Sequence, residues 1–219
     1  MNVPQIKTLL KKDFTLEKRQ KYSFFSVLLY VVSTTYIAYL IFGEITDFRS
    51  WNSLFWIILL FGSISTASRS FAQETGGRYF YYHQLFLPQS IILSKLIYNG
   101  LLTTTIAATT YGLFSLLLGN PVKNQVLFLL ALFLGAWGLS GVLTLVAAIA
   151  SKAEQNATTM AILSLPLLLP LILVLVEISN QAIFGLGLAD NLALLGVISA
   201  LNLMVVGLAF LLFPYIWRD

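Results

Sequence analysis

The sequence predicts an all-α integral membrane protein with six transmembrane helices. Three observations carry that expectation: an apolar composition, six long apolar runs, and a one-sided distribution of basic residues. The 219 residues are 58% hydrophobic and 10% charged, with a mean hydropathy of +0.85. A soluble domain carries about a quarter charged residues because its surface meets water. Most of this surface must therefore meet something apolar.

A spanning helix needs about 20 largely apolar residues to cross roughly 30 Å of hydrocarbon. The runs at about 24–42, 51–68, 96–119, 126–150, 157–178 and 192–213 satisfy this requirement. The first run is longer than a typical signal-peptide core and ends Ile41-Phe42-Gly43, without a small residue three positions before a cut, so it is expected to be retained. Of the 13 basic residues, eleven fall on one side of this layout: Lys7, Lys11, Lys12, Lys18, Arg19, Lys21, Arg69, Arg78, Lys95, Lys152 and Arg218. Only Arg49 and Lys123 fall on the other. Cytoplasmic connections are enriched in Lys and Arg, which predicts both ends inside a bacterial inner membrane. Tyr39 and Trp51 near the outer boundary, and Tyr215 and Trp217 near the inner one, fit aromatic belts.

Two pieces outside the spans carry information. Within residues 1–23, Ile6, Leu9, Leu10 and Phe14 recur at helical spacing after Pro4, with lysines opposite. The pattern predicts an amphipathic helix in the membrane interface, its basic face toward anionic headgroups; a solvated basic tail is the alternative. Residues 24–219 form the six-span unit. Its 69–95 connection holds Phe71, Tyr79, Phe80, Tyr81, Tyr82 and Phe86, too aromatic for a simple linker. Gly76-Gly77 marks a break between two short helices, and Pro88 precedes the next span. Such an aromatic cluster either docks a partner or anchors to the lipid interface. On the outer side, the apolar 179–191 segment is expected to be re-entrant, interfacial or a plain loop.

Several chemistries are excluded. There are no cysteines and one histidine, His83, so thiolate sites, a Cys-His arrangement and a histidine-rich metal site within one chain are ruled out, and neither HExxH nor GxSxG occurs. No Gly-Lys dipeptide occurs, so the phosphate-binding GxxxxGK[ST] loop is missing. Transport, assembly and binding remain, with no nucleic-acid partner and no firmly bound cofactor expected. Ionisable residues inside a span are costly; Arg69 and Glu177 lie at span ends, and no mid-span acid suggests ion-coupled transport. In the fourth span Gly138, Gly141, Thr144, Ala148 and Ser151 recur at three- and four-residue spacing, which suits close helix packing. Asn99, Thr103, Ala107 and Thr110 make a polar stripe in the third, for packing or a translocation path. Pro166 and Pro170 predict a kink in the fifth span, and Asn202 a hydrogen bond from the sixth to a neighbour.

The order of parts resembles the ABC-2 type of transporter permease, and nearly the whole chain is similar to the CcmB family of cytochrome c maturation. The connection after the second span carries the likeness: Glu74, Gly77, Gln84-Leu85, Pro88 and Lys95. Where family members carry a paired acid and a Leu-Glu, this sequence has Gln73-Glu74 and Tyr82-His83. The resemblance implies a coupling helix between spans two and three that docks on a separate ABC ATPase subunit, with Glu74, Gly77, Gln84 and Pro88 at the contact, and the aromatic cluster adds Tyr81 as a ring for a pocket of the partner. It also implies a second copy of the permease, further maturation proteins in the membrane, and haem as substrate of the complex rather than a resident cofactor. An ABC-2 permease for a lipid, polysaccharide or drug, and a non-transport scaffold, share this layout.

Overall fold

The computed structural model describes residues 3–19, 22–43, 47–72, 85–151 and 156–218. Among them the α-helices are α1 (Val3–Arg19), α2 (Tyr22–Phe42), α3 (Phe48–Ala72), α4 (Pro88–Leu117), α5 (Gln125–Ala150), α6 (Asn156–Phe184) and α7 (Leu192–Arg218). A single 3-10 turn, Ala189–Asn191, precedes α7. Six of the seven helices, α2 to α7, are long and apolar enough to span a membrane. The chain is an all-α multi-pass membrane protein.

The bundle is organised around α5, which packs against α3, α4, α6 and α7, while α2 rests on α3 and α4. Side-chain size explains the central place of α5. A Cβ at Gly135 would stand 2.7 Å from Leu175 and 2.8 Å from Trp56. One at Gly138 would stand 2.5 Å from Asn202 Oδ1 and 2.8 Å from Leu171. These glycines let three helices approach one backbone, the small-residue route to packing where apolar burial alone gives no advantage over lipid. Gly141 faces Val205, and Thr144 and Ala148 are buried on the same helix. Asn202 Nδ2 donates to the Leu134 carbonyl at 3.0 Å, tying α7 to α5.

The ends of the spans away from α1 are held by polar contacts around an aromatic cluster. Trp51, Phe55, Phe114 and Phe128 pack ring against ring with centroids 5.5–5.9 Å apart. Trp51 is fully buried, and its Nε1 donates to the Gly119 carbonyl at 2.9 Å. It is a packing keystone and no part of a lipid-facing belt, because its indole N–H finds a partner only inside the bundle.

Two boundaries differ clearly from the sequence expectation. The third spanning helix begins at Pro88, not near residue 96: Pro88 takes the first helical turn, where its missing N–H costs nothing, after an extended Leu87. The polar residues Gln89, Ser90, Ser94 and Lys95 hide this start from a hydropathy reading, yet Ser90, Ser94 and Lys95 are buried. The connection from α3 is thereby shortened to residues 73–87. The fifth span runs on to Phe184, so the first six residues of the 179–191 segment belong to this helix. It stops at Gly185, whose φ of +90° suits a residue without Cβ. There Gly185 N–H donates to Ala182 and Leu186 N–H to Gln181, a Schellman ending. Both Pro166 and Pro170 lie inside α6, as does Pro214 in α7, and the helices continue across them.

Candidate transmission site at the base of α4

One face of α1, read at four-residue intervals, is Gln5, Leu9, Asp13 and Glu17, and this face lies along the first turns of α4. The Gln5 amide closes on the chain just before α4: its Nε2 donates to the Leu85 carbonyl at 3.4 Å and its Oε1 accepts from Leu87 N–H at 3.5 Å. Leu9 is buried at the next turn. Asp13 follows, with Oδ1 3.5 Å from Lys95 Nζ and 3.0 Å from Lys12 Nζ. The last turn places Glu17 Oε2 2.9 Å from the Tyr98 hydroxyl, which donates to it. Phe14 stands edge-on to the Tyr98 ring at 5.3 Å.

The two helices run side by side in the same direction, residues 5 to 17 against residues 85 to 98. The inward face of α1 is therefore revised from the expected apolar one that meets lipid. Ile6 and Leu9 are buried, but Asp13 is buried with them, and both acids of the described helix face α4. The Asp13 Oδ2 atom is buried without a partner. Burying a carboxylate is tolerable only beside a cation, and Lys95 with Lys12 supplies that charge. Lys95, counted above among the basic residues that set topology, is 5% exposed at its side chain.

The seam continues upward. One residue past Tyr98, Asn99 Nδ2 donates to Thr144 Oγ1 at 2.9 Å, joining α4 to α5 in the buried interior. Asn99 Oδ1 and Ser140 Oγ are buried without partners. Gly100 sits against the Trp137 ring, with 3.1 Å for an added Cβ. A displacement at Leu85–Leu87 thus meets a continuous series of contacts to the central helix.

Of the residues that the family likeness singles out, Pro88 opens α4, whereas Glu74, Gly77, Tyr81 and Gln84 lie outside the described residues, as does the expected coupling helix. Gly138, Gly141, Thr144 and Ala148 sit on α5 as described above. Gln5, Asp13, Glu17 and Tyr98 were not singled out by sequence; the one available signal was the pair of acids on the face of α1 that carries Leu9. Among the described residues no group of three His, Cys, Asp or Glu side chains is placed to hold a metal. The contacts of the seam hold α1, α4 and α5 together.

No curated protein matches the chain. A family model described as CcmB protein matches residues 5–212. Its span takes in the Gln5 contact, the α1–α4 seam and all six spanning helices, so the chain belongs to the CcmB family and is a membrane permease component of haem export.

Proposed function

We propose that this chain is the permease subunit of an ABC-type exporter in cytochrome c maturation, moved by a separate ATP-hydrolysing subunit. The partner docks on the 73–87 connection, and its motion passes through Gln5 and α1 into α4. The observation that carries this reading is the Gln5 side chain bonded to both Leu85 and Leu87. It fastens the end of the connection to a helix that is itself ion-paired to α4. A connection anchored in this way moves α4 when pushed. A loosely attached one would absorb the push.

The sequence holds no phosphate-binding loop of its own, so the work must come from a bound protein. Two copies of the six-span unit would enclose the path, with further maturation proteins beside them and haem, or a haem carrier, as the substrate handled at the outer face. The chain is read as lying in the bacterial inner membrane with both ends cytoplasmic, from the eleven-to-two split of basic residues.

The test is co-purification from native membranes. An ATPase should accompany the intact chain as a complex with two permease copies, and should be lost when residues 73–84 are replaced by a Gly-Ser linker. Cysteines at positions 49 and 123 should react with an impermeant reagent in whole cells. A linker variant that retains the ATPase and supports maturation overturns the reading.

A further inference from the structure

The charges of α1 are sorted by face. Asp13 and Glu17 turn inward to Lys95 and Tyr98, while Lys7, Lys11, Lys18 and Arg19 are exposed, and among the described residues none of these four carries an ion pair. Lys11, Phe14, Thr15, Lys18 and Arg19 follow one another at helical intervals on a single stripe and line an open cleft of about 570 Å³. Thr15 Oγ1 donates to the Lys11 carbonyl at 2.6 Å, so its side chain lies flat and leaves the cleft to the cations and the ring. Phe14 is 46% exposed, although it packs edge-on against Tyr98.

The depth of this cleft can be placed from helix lengths. The 30 residues of α4 make about 45 Å, against roughly 30 Å of hydrocarbon. With Leu117 at the far boundary, the near boundary falls at Tyr98, the residue that Phe14 touches. The apolar window of α2 begins at Phe25, six residues after Arg19. Lys11 therefore stands at headgroup level and Phe14 at the top of the acyl chains, while Lys18 and Arg19 begin about one turn past Phe14 and line the same cleft, which their long stems can reach from there.

We propose that Lys11, Lys18 and Arg19 seat the phosphate of an anionic phospholipid in the leaflet bordering α1, with Phe14 against its acyl chains. Charge complementarity and depth favour a lipid over a soluble anion or an acidic protein surface: a cleft for a soluble anion gains nothing from a ring exposed at the hydrocarbon boundary. The contact would fix α1 to the bilayer on one face while its other face holds α4.

The test uses the full chain in lipid nanodiscs and compares spin-labelled phosphatidylglycerol with spin-labelled phosphatidylcholine. The wild type should immobilise more phosphatidylglycerol. Each cation replaced by glutamine should lower that preference about fivefold, with Lys18→Gln alone giving one step and Lys11→Gln/Lys18→Gln/Arg19→Gln abolishing most of it. Lys123→Gln, at the opposite end of the bundle, should leave the preference unchanged, and inorganic phosphate should compete poorly. Equal immobilisation of the two lipids by the wild type overturns the proposal. So does a wild-type preference retained by a stably folded triple variant, or full displacement by inorganic phosphate. Loss of an acidic protein partner from the triple variant with its lipid preference intact also overturns it, since the stripe is then a protein contact.

Discussion

Asp13 and Lys95 stand 82 positions apart in the sequence and 3.5 Å apart in space, each with a side chain only 5% exposed. The pair sits where a helix outside the spans meets the base of a spanning one. Removing Asp13 takes the carboxylate away from a Lys95 side chain that is 5% exposed, and removing Lys95 leaves Asp13 with Lys12 alone, so each change costs up to the about 3–5 kcal/mol of a broken buried pair. Asp13→Ala and Lys95→Met are each expected to lower the unfolding midpoint of the chain in nanodiscs. The double replacement Asp13→Leu/Lys95→Met should recover most of the loss, because a well-packed apolar pair is often no worse than a buried ion pair. Additive single-variant losses in a double-mutant cycle would show that the two charges are not coupled.

The glycines of α5 give a second, steric prediction. An alanine at Gly138 would press on Asn202 Oδ1 at 2.5 Å and on Leu171 at 2.8 Å. Forcing a methyl into a filled site costs about 1–3 kcal/mol. Gly138→Ala should therefore destabilise the bundle, and Asn202→Ser added to it should relieve part of the strain. Gly112→Ala is the control, since nothing lies within 4 Å of its added Cβ. Equal thermal midpoints for Gly138→Ala and Gly112→Ala would count against close packing at Gly138.

What could be read in the sequence follows from which forces are local. Hydropathy is summed along a window, so the six spans and the all-α class were legible from composition and run length alone. The base of α4 was not, because Ser90, Ser94 and Lys95 are polar yet buried, and the partner of Lys95 on α1 lies 82 positions away. Trp51 was misplaced at a lipid boundary for a similar reason: indole chemistry suits a membrane interface and a buried hydrogen bond equally, and only the Gly119 carbonyl decides between them. Asp13 and Glu17 share the face of α1 that carries Leu9, and two acids on a face that also buries leucine are a sign of a cation or hydrogen-bond donor nearby. The residues of the 73–84 stretch lie outside the described part of the chain, so Glu74, Gly77 and Gln84 rest on the family likeness and Tyr81 on the aromatic pattern of the sequence.

Asp47 allows a prediction about pH. Its carboxylate accepts from the Ser50 hydroxyl at 2.6 Å, from Ser50 N–H at 3.0 Å and from Arg49 N–H at 3.3 Å, at the start of α3. Hydrogen bonds to the charged form, led by the Ser50 hydroxyl and then the Ser50 amide, hold this carboxyl below its ordinary value. A depressed carboxylate pKa supports the first turn of α3 above the ordinary carboxylate range. That support is lost as pH falls through the lower, folded value. Carboxyl carbon shifts from labelled aspartate should give Asp47 a midpoint lower than that of an unstructured aspartate. In Asp47→Asn and Ser50→Ala, amide exchange in the first turn of α3 should rise at neutral pH. An ordinary Asp47 midpoint would show that the cap is not formed in the bilayer.

The last prediction concerns Gln5, whose amide holds Leu85 and Leu87 at the end of the 73–87 connection. If ATP-driven motion reaches α4 through this grip, loosening it should separate binding from coupling. Gln5→Ala removes two long, solvent-exposed hydrogen bonds, each worth about 0.5–1.5 kcal/mol at most. Folding and insertion should therefore survive. The ATPase should still bind, because its contact residues in the 73–84 stretch are untouched, yet haem-dependent cytochrome c maturation should fall several-fold. Tyr81→Ala and Glu74→Lys should act one step earlier. A buried aromatic anchor is worth about 2 kcal/mol or more at an interface, over tenfold in affinity, so these variants should lose the ATPase itself. The two classes are told apart by pulling down the ATPase and measuring maturation in the same cells. Full maturation in Gln5→Ala with normal ATPase binding would mean that the connection drives α4 directly through Pro88, with α1 only a support.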